Sequence, residues 1–300
     1  MQPCSKAGLP PLKTLNAFNT SLEGRPLTVI AGYLGAGKTT LINRMLAEAE
    51  QPFAVIVNDL GALAVDEALI AGQQGATLSL TNGCACCQIS ADLAAQLARL
   101  RQEKFSALVF EASGVAKASR LATLTSQAEG YALAKVVTLV DGQDVPRLLA
   151  DTYLSPLIKE QIAAADWVLQ TKRSEGLHPS LASLSTKVGQ LPSSGPLPAA
   201  LAPAYRLDQS GRLEAGIKAP LFQHRVIFPK PDLAPGVLQT FITDHPEIER
   251  VKGWLVSPTD AVFVQATRAH FQAQAGAGAQ GQGLQFIWRG DSELDFSALT

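Results

Sequence analysis

Gly32-Tyr33-Leu34-Gly35-Ala36-Gly37-Lys38-Thr39 fills the pattern G-x-x-x-x-G-K-[ST], and each fixed position has a chemical task. Glycines let a backbone wrap a polyphosphate with successive N–H groups turned inward. The cradle read here is Gly32, Gly35, Ala36, Gly37, Lys38, Thr39 and Thr40. Lys38 reaches the β- and γ-phosphates, and the Thr39 hydroxyl holds Mg²⁺. A nucleoside triphosphate is the ligand this spacing points to. A second reactive group follows at Cys84, Cys86 and Cys87, in the run Asn82-Gly83-Cys84-Ala85-Cys86-Cys87-Gln88. Thiolates are soft ligands that favour Zn²⁺ or Cu(I) over Mg²⁺ or Ca²⁺. Cys84 and Cys86 share a face of an extended segment and Cys87 does not, so a turn near Gly83 is needed to bring three sulfurs to one ion. Three sulfurs leave a fourth position for water, an acid or a partner's ligand, which suits transient metal handling better than structural stapling. The competing readings are small buried hydrophobes or a redox pair.

A phosphate loop works only between a strand and a helix, and the flanking residues have both patterns. Apolar runs at Thr28–Ala31, Ala54–Val57, Thr77–Leu80, Ala107–Phe110, Lys135–Val140 and Trp167–Gln170 read as strands. Helical periodicity covers Lys38–Glu50, Ser90–Glu103, Ala116–Gln127 and Ser155–Ala164. Continuous Val/Ile/Leu strands alternating with amphipathic helices predict an α/β fold: a mostly parallel P-loop sheet with helices on both faces. Residues 1–24 read as a lead-in, 25–175 as the nucleotide-binding domain and 176–203, rich in breakers but with room for a short helix at Ser180–Val188, as a linker. Residues 204–300 read as a smaller α+β domain. Its expected strands are Leu221–Phe228, Val251–Val256, Ala261–Thr267 and Leu284–Trp288, with a helix at Leu233–Asp244 and a mobile loop over the Gln/Ala/Gly tract Gln272–Gly283.

Charged residues make up only 17% and the formal net charge is −1, which gives no basic field for nucleic acid or an anionic membrane. No apolar run is long enough to span a bilayer, and Met1–Thr20 lacks the apolar core of a signal peptide. Three of four cysteines crowded into four positions cannot form a spread disulfide framework, which suits a reducing cytoplasm.

The motifs, taken in order, resemble those of the CobW-type P-loop GTPases, whose members serve as metal chaperones or metallocentre assembly factors. They are G-Y-L-G-A-G-K-T-T-L at 32–41, V-I-V-N-D-L-G at 55–61, L-T-N-G-C-A-C-C at 80–87, F-E-A-S-G at 110–114, T-L-V-D-G at 138–142 and A-D-W-V-L at 165–169. R-V-K-G-W-L at 250–255 resembles a segment of that family's C-terminal domain. The resemblance implies that Glu111, after an apolar strand, holds Mg²⁺ through water as a Walker-B acid, and that Gly114 is the switch glycine facing the γ-phosphate. Asp59 matches the Glu of N-E-x-G, one methylene shorter, and is the candidate for ordering the attacking water. Thiolate softness makes Zn²⁺ the default cargo, and the resemblance leaves Co²⁺ or Fe²⁺ as alternatives and implies a client metalloprotein as partner. Residues 204–300 would bind that client or contribute to self-association. No arginine finger is evident in the chain, so slow intrinsic turnover is expected.

One motif departs from the pattern. Guanine recognition in this class rests on N-K-x-D, and here Thr171-Lys172-Arg173-Ser174 stands in its place. An Asp carboxylate accepts two hydrogen bonds from guanine; a serine hydroxyl cannot. Lys172 keeps a stem able to pack over the base, and Glu175 is long enough to bend back in place of the missing acid. GTP remains the first expectation and ATP the alternative. Two other readings stand beside the metal-carrier GTPase: a P-loop ATPase or kinase with structural or redox cysteines, and a nucleotide-binding scaffold without turnover. His178, His224, His245 and His270 are scattered and read as surface or packed residues.

Overall fold

Strands that are apolar on both faces must be covered on both faces. The computed structural model describes residues 24–58, 77–80, 88–204, 221–256, 261–268, 270–275 and 283–300, and it meets that requirement with two helical layers. Along the chain run β1 (Arg25–Gly32), α1 (Lys38–Ala47), β2 (Ala54–Asn58), β3 (Thr77–Leu80), α2 (Gln88–Leu100), β4 (Leu108–Glu111) and α3 (Ala118–Ser126). They continue as β5 (Tyr131–Asp141), α4 (Val145–Ala150), α5 (Ser155–Ala163), β6 (Trp167–Thr171), α6 (Pro179–Leu184) and β7 (Val188–Gln190). The strands form one sheet in the order β3-β2-β4-β1-β5-β6-β7, with every pairing parallel.

Alternate residues of β1 serve opposite layers. Leu27 and Val29 pack with Leu93 and Leu97 of α2 and Leu121 of α3. Ile30 packs with Leu41, Ile42 and Met45 of α1. The strand order reverses at β1, which lies between β4 and β5, and a crevice at such a reversal is where open α/β sheets bind ligands. Gly32 and Glu111 stand together at that edge because Ile30 is in register with Glu111.

The second unit comprises β8 (Phe222–Ile227), α7 (Pro235–Asp244), β9 (Ile248–Val256), β10 (Ala261–Thr267), β11 (Phe271–Ala275) and β12 (Gly283–Arg289). Its five strands are antiparallel in the order β11-β10-β9-β12-β8. Leu238 and Phe241 of α7 cover Val251, Val264 and Phe286 on one face. From the other face Ile287 enters a cluster with Tyr33, Leu34 and Val140, so this sheet packs directly on the phosphate loop.

Several local features differ from the sequence reading. The proline-rich segment 176–203 adds the edge strand β7 to its short helix α6, and Leu201 is fully buried under α1. Thr28 Oγ1 donates to Pro203 O at 3.2 Å and Lys135 Nζ to Ala202 O at 2.7 Å, which pins the end of this segment beneath the sheet. Burial pushes the Lys135 amine down to about 7. Helix α1 stops at Ala47 instead of Glu50; the approaching Gln51-Pro52 pair disfavours helix there. β11 occupies the start of the tract expected to be a loop, because its backbone finds a partner in β10; residues 276–282 lie outside the described residues. Among the described residues no helix is long and apolar enough to cross a membrane.

The start of α3 is held from outside. Its preceding residue Lys117 provides no side-chain cap, and Glu160 of α5 supplies one, accepting from Ala118 N at 3.0 Å and Ser119 N at 2.9 Å. Glu160 is fully buried, so its removal strands two amides without solvent. Glu160→Ala is expected to cost about 2 kcal/mol in urea denaturation, and Glu160→Gln visibly less. Equal, negligible losses for both would remove the capping role.

Candidate functional site

β1 ends at Gly32 and the chain turns back at once, with Ala36 N donating to Tyr33 O at 3.1 Å. Gly37 then adopts φ +96°, a left-handed conformation that glycine accepts without strain, and starts α1 as its N-cap. Gly37 has no side chain to cap this helix, and among the described residues a Cβ there would meet nothing within 4 Å. The first-turn amides lie at the end of the helix where its dipole favours an anion. Phosphate is the ligand such a terminus suits.

Lys38 is largely buried and folds across the loop, donating to Gly32 O at 2.9 Å and Tyr33 O at 3.3 Å. Thr39 Oγ1 donates to Glu111 Oε1 at 3.0 Å. A hydroxyl and a carboxylate side by side form a hard oxygen set, which fits Mg²⁺ and not a thiophilic ion. Thr40 is exposed on the next position of the helix. Gly114 lies so close to the loop that a Cβ there would come within 2.8 Å of Leu34 N. Gln161 Nε2 fixes that strand-to-helix segment by donating to Gly114 O at 3.2 Å and Ala116 O at 2.9 Å.

β6 brings the loop that begins at Thr171 alongside. Thr171 Oγ1 donates to Ala36 O at 2.9 Å, tying this loop to the phosphate loop. Lys172, at φ +60°, pairs with Asp141 Oδ2 at 3.0 Å. Ser174 is exposed. Glu175 has a side chain 82% exposed and meets Arg173 at 3.5 Å, so it extends toward solvent and does not fold back over the loop. The structure thus brings Gly32, Gly35, Ala36, Gly37, Lys38, Thr39, Thr40, Glu111, Gly114 and Lys172 to one edge of the sheet. Asp59 and the cysteines Cys84, Cys86 and Cys87 lie outside the described residues. Among the described residues no group of three His, Cys, Asp or Glu side chains is placed to hold a metal.

Two features of the site were not legible in the sequence. Asp141, at the end of the T-L-V-D-G motif, is the acid that holds Lys172. Tyr33, a variable position of the phosphate-loop pattern, is buried beside Glu249 of β9. The Glu249 carboxylate is fully buried; Arg147 Nη1 stands 3.8 Å from it and Arg289 Nε 3.7 Å. Arg147 is itself held by Asp144 at 2.6 Å and Arg289 by Asp151 at 2.5 Å. Burial raises the Glu249 carboxyl above the ordinary carboxylate range, against the lowering pull of Arg147, the Tyr33 hydroxyl, Arg289 and Arg268. Burial, with Glu249 alongside, holds the Tyr33 hydroxyl well above its usual range.

Residues 26–193 match the family described as CobW/HypB/UreG, nucleotide-binding domain. The chain is 28% identical over 236 residues to the zinc chaperone CobW of Pseudomonas aeruginosa, covering 64% of this chain and 61% of that protein. It is 33% identical over 179 residues to the zinc chaperone YjiA of Escherichia coli, covering 54% and 55%. It is 34% identical over 135 residues to the zinc-regulated GTPase metalloprotein activator 1 of Dictyostelium discoideum, covering 39% and 28%. The matched segments span 61% of the first relative's length and less of the other two.

The buried Glu249 yields a pH test. Its raised carboxyl binds a proton more tightly in the folded chain than in the unfolded one. The stability it contributes is present in full below about pH 4.3 and is lost as pH rises through the raised value. The urea midpoint of the parent is expected to fall across that window by more than that of Glu249→Gln. Parallel profiles would count against a buried carboxyl.

Proposed function

The chain belongs to the CobW/HypB/UreG family, and from that premise we propose that it is a metal-carrying P-loop nucleoside triphosphatase that loads a client metalloprotein. The observation that carries the nucleotide half is the glycine N-cap of α1 with Thr39 and Glu111 3.0 Å apart beside it. The first-turn amides and Lys38 take the phosphates, and the Gly114 amide faces the terminal one. Thr39 and Glu111 hold Mg²⁺, which when bound neutralises charge developing on the phosphate oxygens. Asp59 orders the attacking water. Hydrolysis then proceeds by positioning and charge neutralisation, at a slow intrinsic rate.

The metal half rests on the three thiols and on the relatives' names. Cys84, Cys86 and Cys87 offer a soft, incomplete donor set suited to a cargo that must leave again. Zn²⁺ is the cargo that the zinc chaperone and zinc-regulated relatives support. Alternation between nucleotide states would change the affinity for metal or client, with the second sheet binding the client or a second copy of the chain.

GTP is the nucleotide that the GTPase-named relative supports. A second reading, in which ATP is accepted nearly as well, is favoured by Ser174 in the acid position and by Glu175 turned to solvent. A site that does not hydrogen-bond a base discriminates weakly. The GTP preference over ATP is therefore expected to be about tenfold or less, far below that of a carboxylate-reading site.

Affinities of the purified apoprotein for GTP and ATP, with and without equimolar Zn²⁺, test both halves. Zinc is expected to shift nucleotide affinity in the parent and not in the variant with Cys84, Cys86 and Cys87 all changed to serine. A triple variant that binds Zn²⁺ as tightly as the parent would sink the carrier reading. Glu111→Gln should still bind nucleotide while hydrolysis falls about 100-fold; an undetectable rate in the parent itself would favour a scaffold.

A further inference from the structure

The turn between β10 and β11 lies on the candidate nucleotide site and touches both of its ends. Thr267 and His270 close this turn, with Thr267 N donating to His270 O at 2.8 Å and His270 N to Thr267 O at 3.3 Å. Thr267 Cγ2 lies only 2.8 Å from where a Cβ at Gly35 would sit, so its methyl rests directly against the phosphate loop. His270 Nε2 lies 3.7 Å from Asp141 Oδ2, the same oxygen that holds Lys172. That ring nitrogen is buried and makes no hydrogen bond among the described residues. Thr267 and His270 thus reach from the loop that would hold phosphate to the loop that would hold the base.

We propose that Thr267 and His270 are nucleotide-positioning residues, supplied to the site by the second sheet and acting through Gly35 and Asp141. The inference rests on the reading of the phosphate loop as a nucleotide site. The two loops leave different strands, β1 and β6, and the Thr171–Ala36 hydrogen bond joins them directly. A ligand that bridges them must hold both in register, and any freedom between them is lost on binding. The turn removes part of that freedom beforehand. Its own footing is firm, since Ile287 shares a core with Tyr33 and Leu34, and Glu249 is buried beside Tyr33. Coupling of this kind is reciprocal: if the turn steadies the nucleotide, the nucleotide steadies the turn.

Hydrogen exchange on the full chain, with and without saturating GDP and Mg²⁺, reads that reciprocity without reference to activity. Amides of the phosphate loop and of the β10–β11 turn are expected to slow together. The dissociation rate of a fluorescent GDP is expected to rise about fivefold in His270→Ala and to return toward the parent in His270→Gln, which keeps an amide donor toward Asp141. Thr267→Ala reports the phosphate end by the same measurement and stands in if His270→Ala does not fold. Protection of the phosphate loop with an unchanged turn overturns the proposal while leaving the nucleotide site intact. A rate unaltered in both alanine variants overturns it as well. Absence of protection at the phosphate loop removes the nucleotide reading itself, and this inference with it.

Discussion

The first-turn amides of α1 need acceptors, and their N-cap, Gly37, has no side chain to offer one. Everything else at this edge of the sheet follows from keeping that helix end open and aimed. Gly37 turns the chain into the helix, and β1 between two parallel neighbours gives the loop a rigid base. Lys38 lies across the carbonyls of Gly32 and Tyr33. Its position across the loop satisfies the ammonium within the protein, where an unpaired buried charge would be costly. The loop therefore holds its cation close to where phosphate charge would arrive.

The charged network around Glu249 poses a different energetic question. Ion pairs out of water gain Coulomb energy and lose hydration, and the two nearly cancel. Glu249, Arg147 and Arg289 stand at separations longer than close hydrogen bonds, while Asp144 and Asp151 hold the arginines tightly. Such an arrangement adds little to stability by itself. Its value lies in register, because Glu249 and Arg289 both belong to the second sheet and reach Arg147, Asp151 and Tyr33 only when that sheet docks in this one way.

What the sequence made legible was local. The phosphate loop, its strand and its helix are contiguous, and their chemistry is written in glycines, a lysine and a threonine. The buried strands were visible because parallel strands read as unbroken apolar runs, as in Tyr131–Asp141. β11 was hidden, since Phe271–Ala275 is mostly polar and small, and becomes a strand only through pairing with β10. The six-residue helix α4 and three-residue β7 are too short to show a period. Nothing near Tyr33 in sequence announces Glu249, and nothing near Asp141 announces His270. Contacts of that kind depend on how two sheets pack, which a single sequence does not spell out.

The pinning of Ala202 and Pro203 by Lys135 and Thr28 bears on how separable the two sheets are. The family match closes at residue 193, yet Leu201 fills the layer under α1 and the carbonyls beyond it take hydrogen bonds from β5 and β1. The nucleotide-binding fold is thus completed by residues that look, by descent, like the start of something else. Tension applied to the second sheet would be transmitted through that anchored strap to β1, the strand that ends in the phosphate loop. A load on that sheet would reach the phosphate loop along the covalent chain, as well as across the surface where the sheets touch.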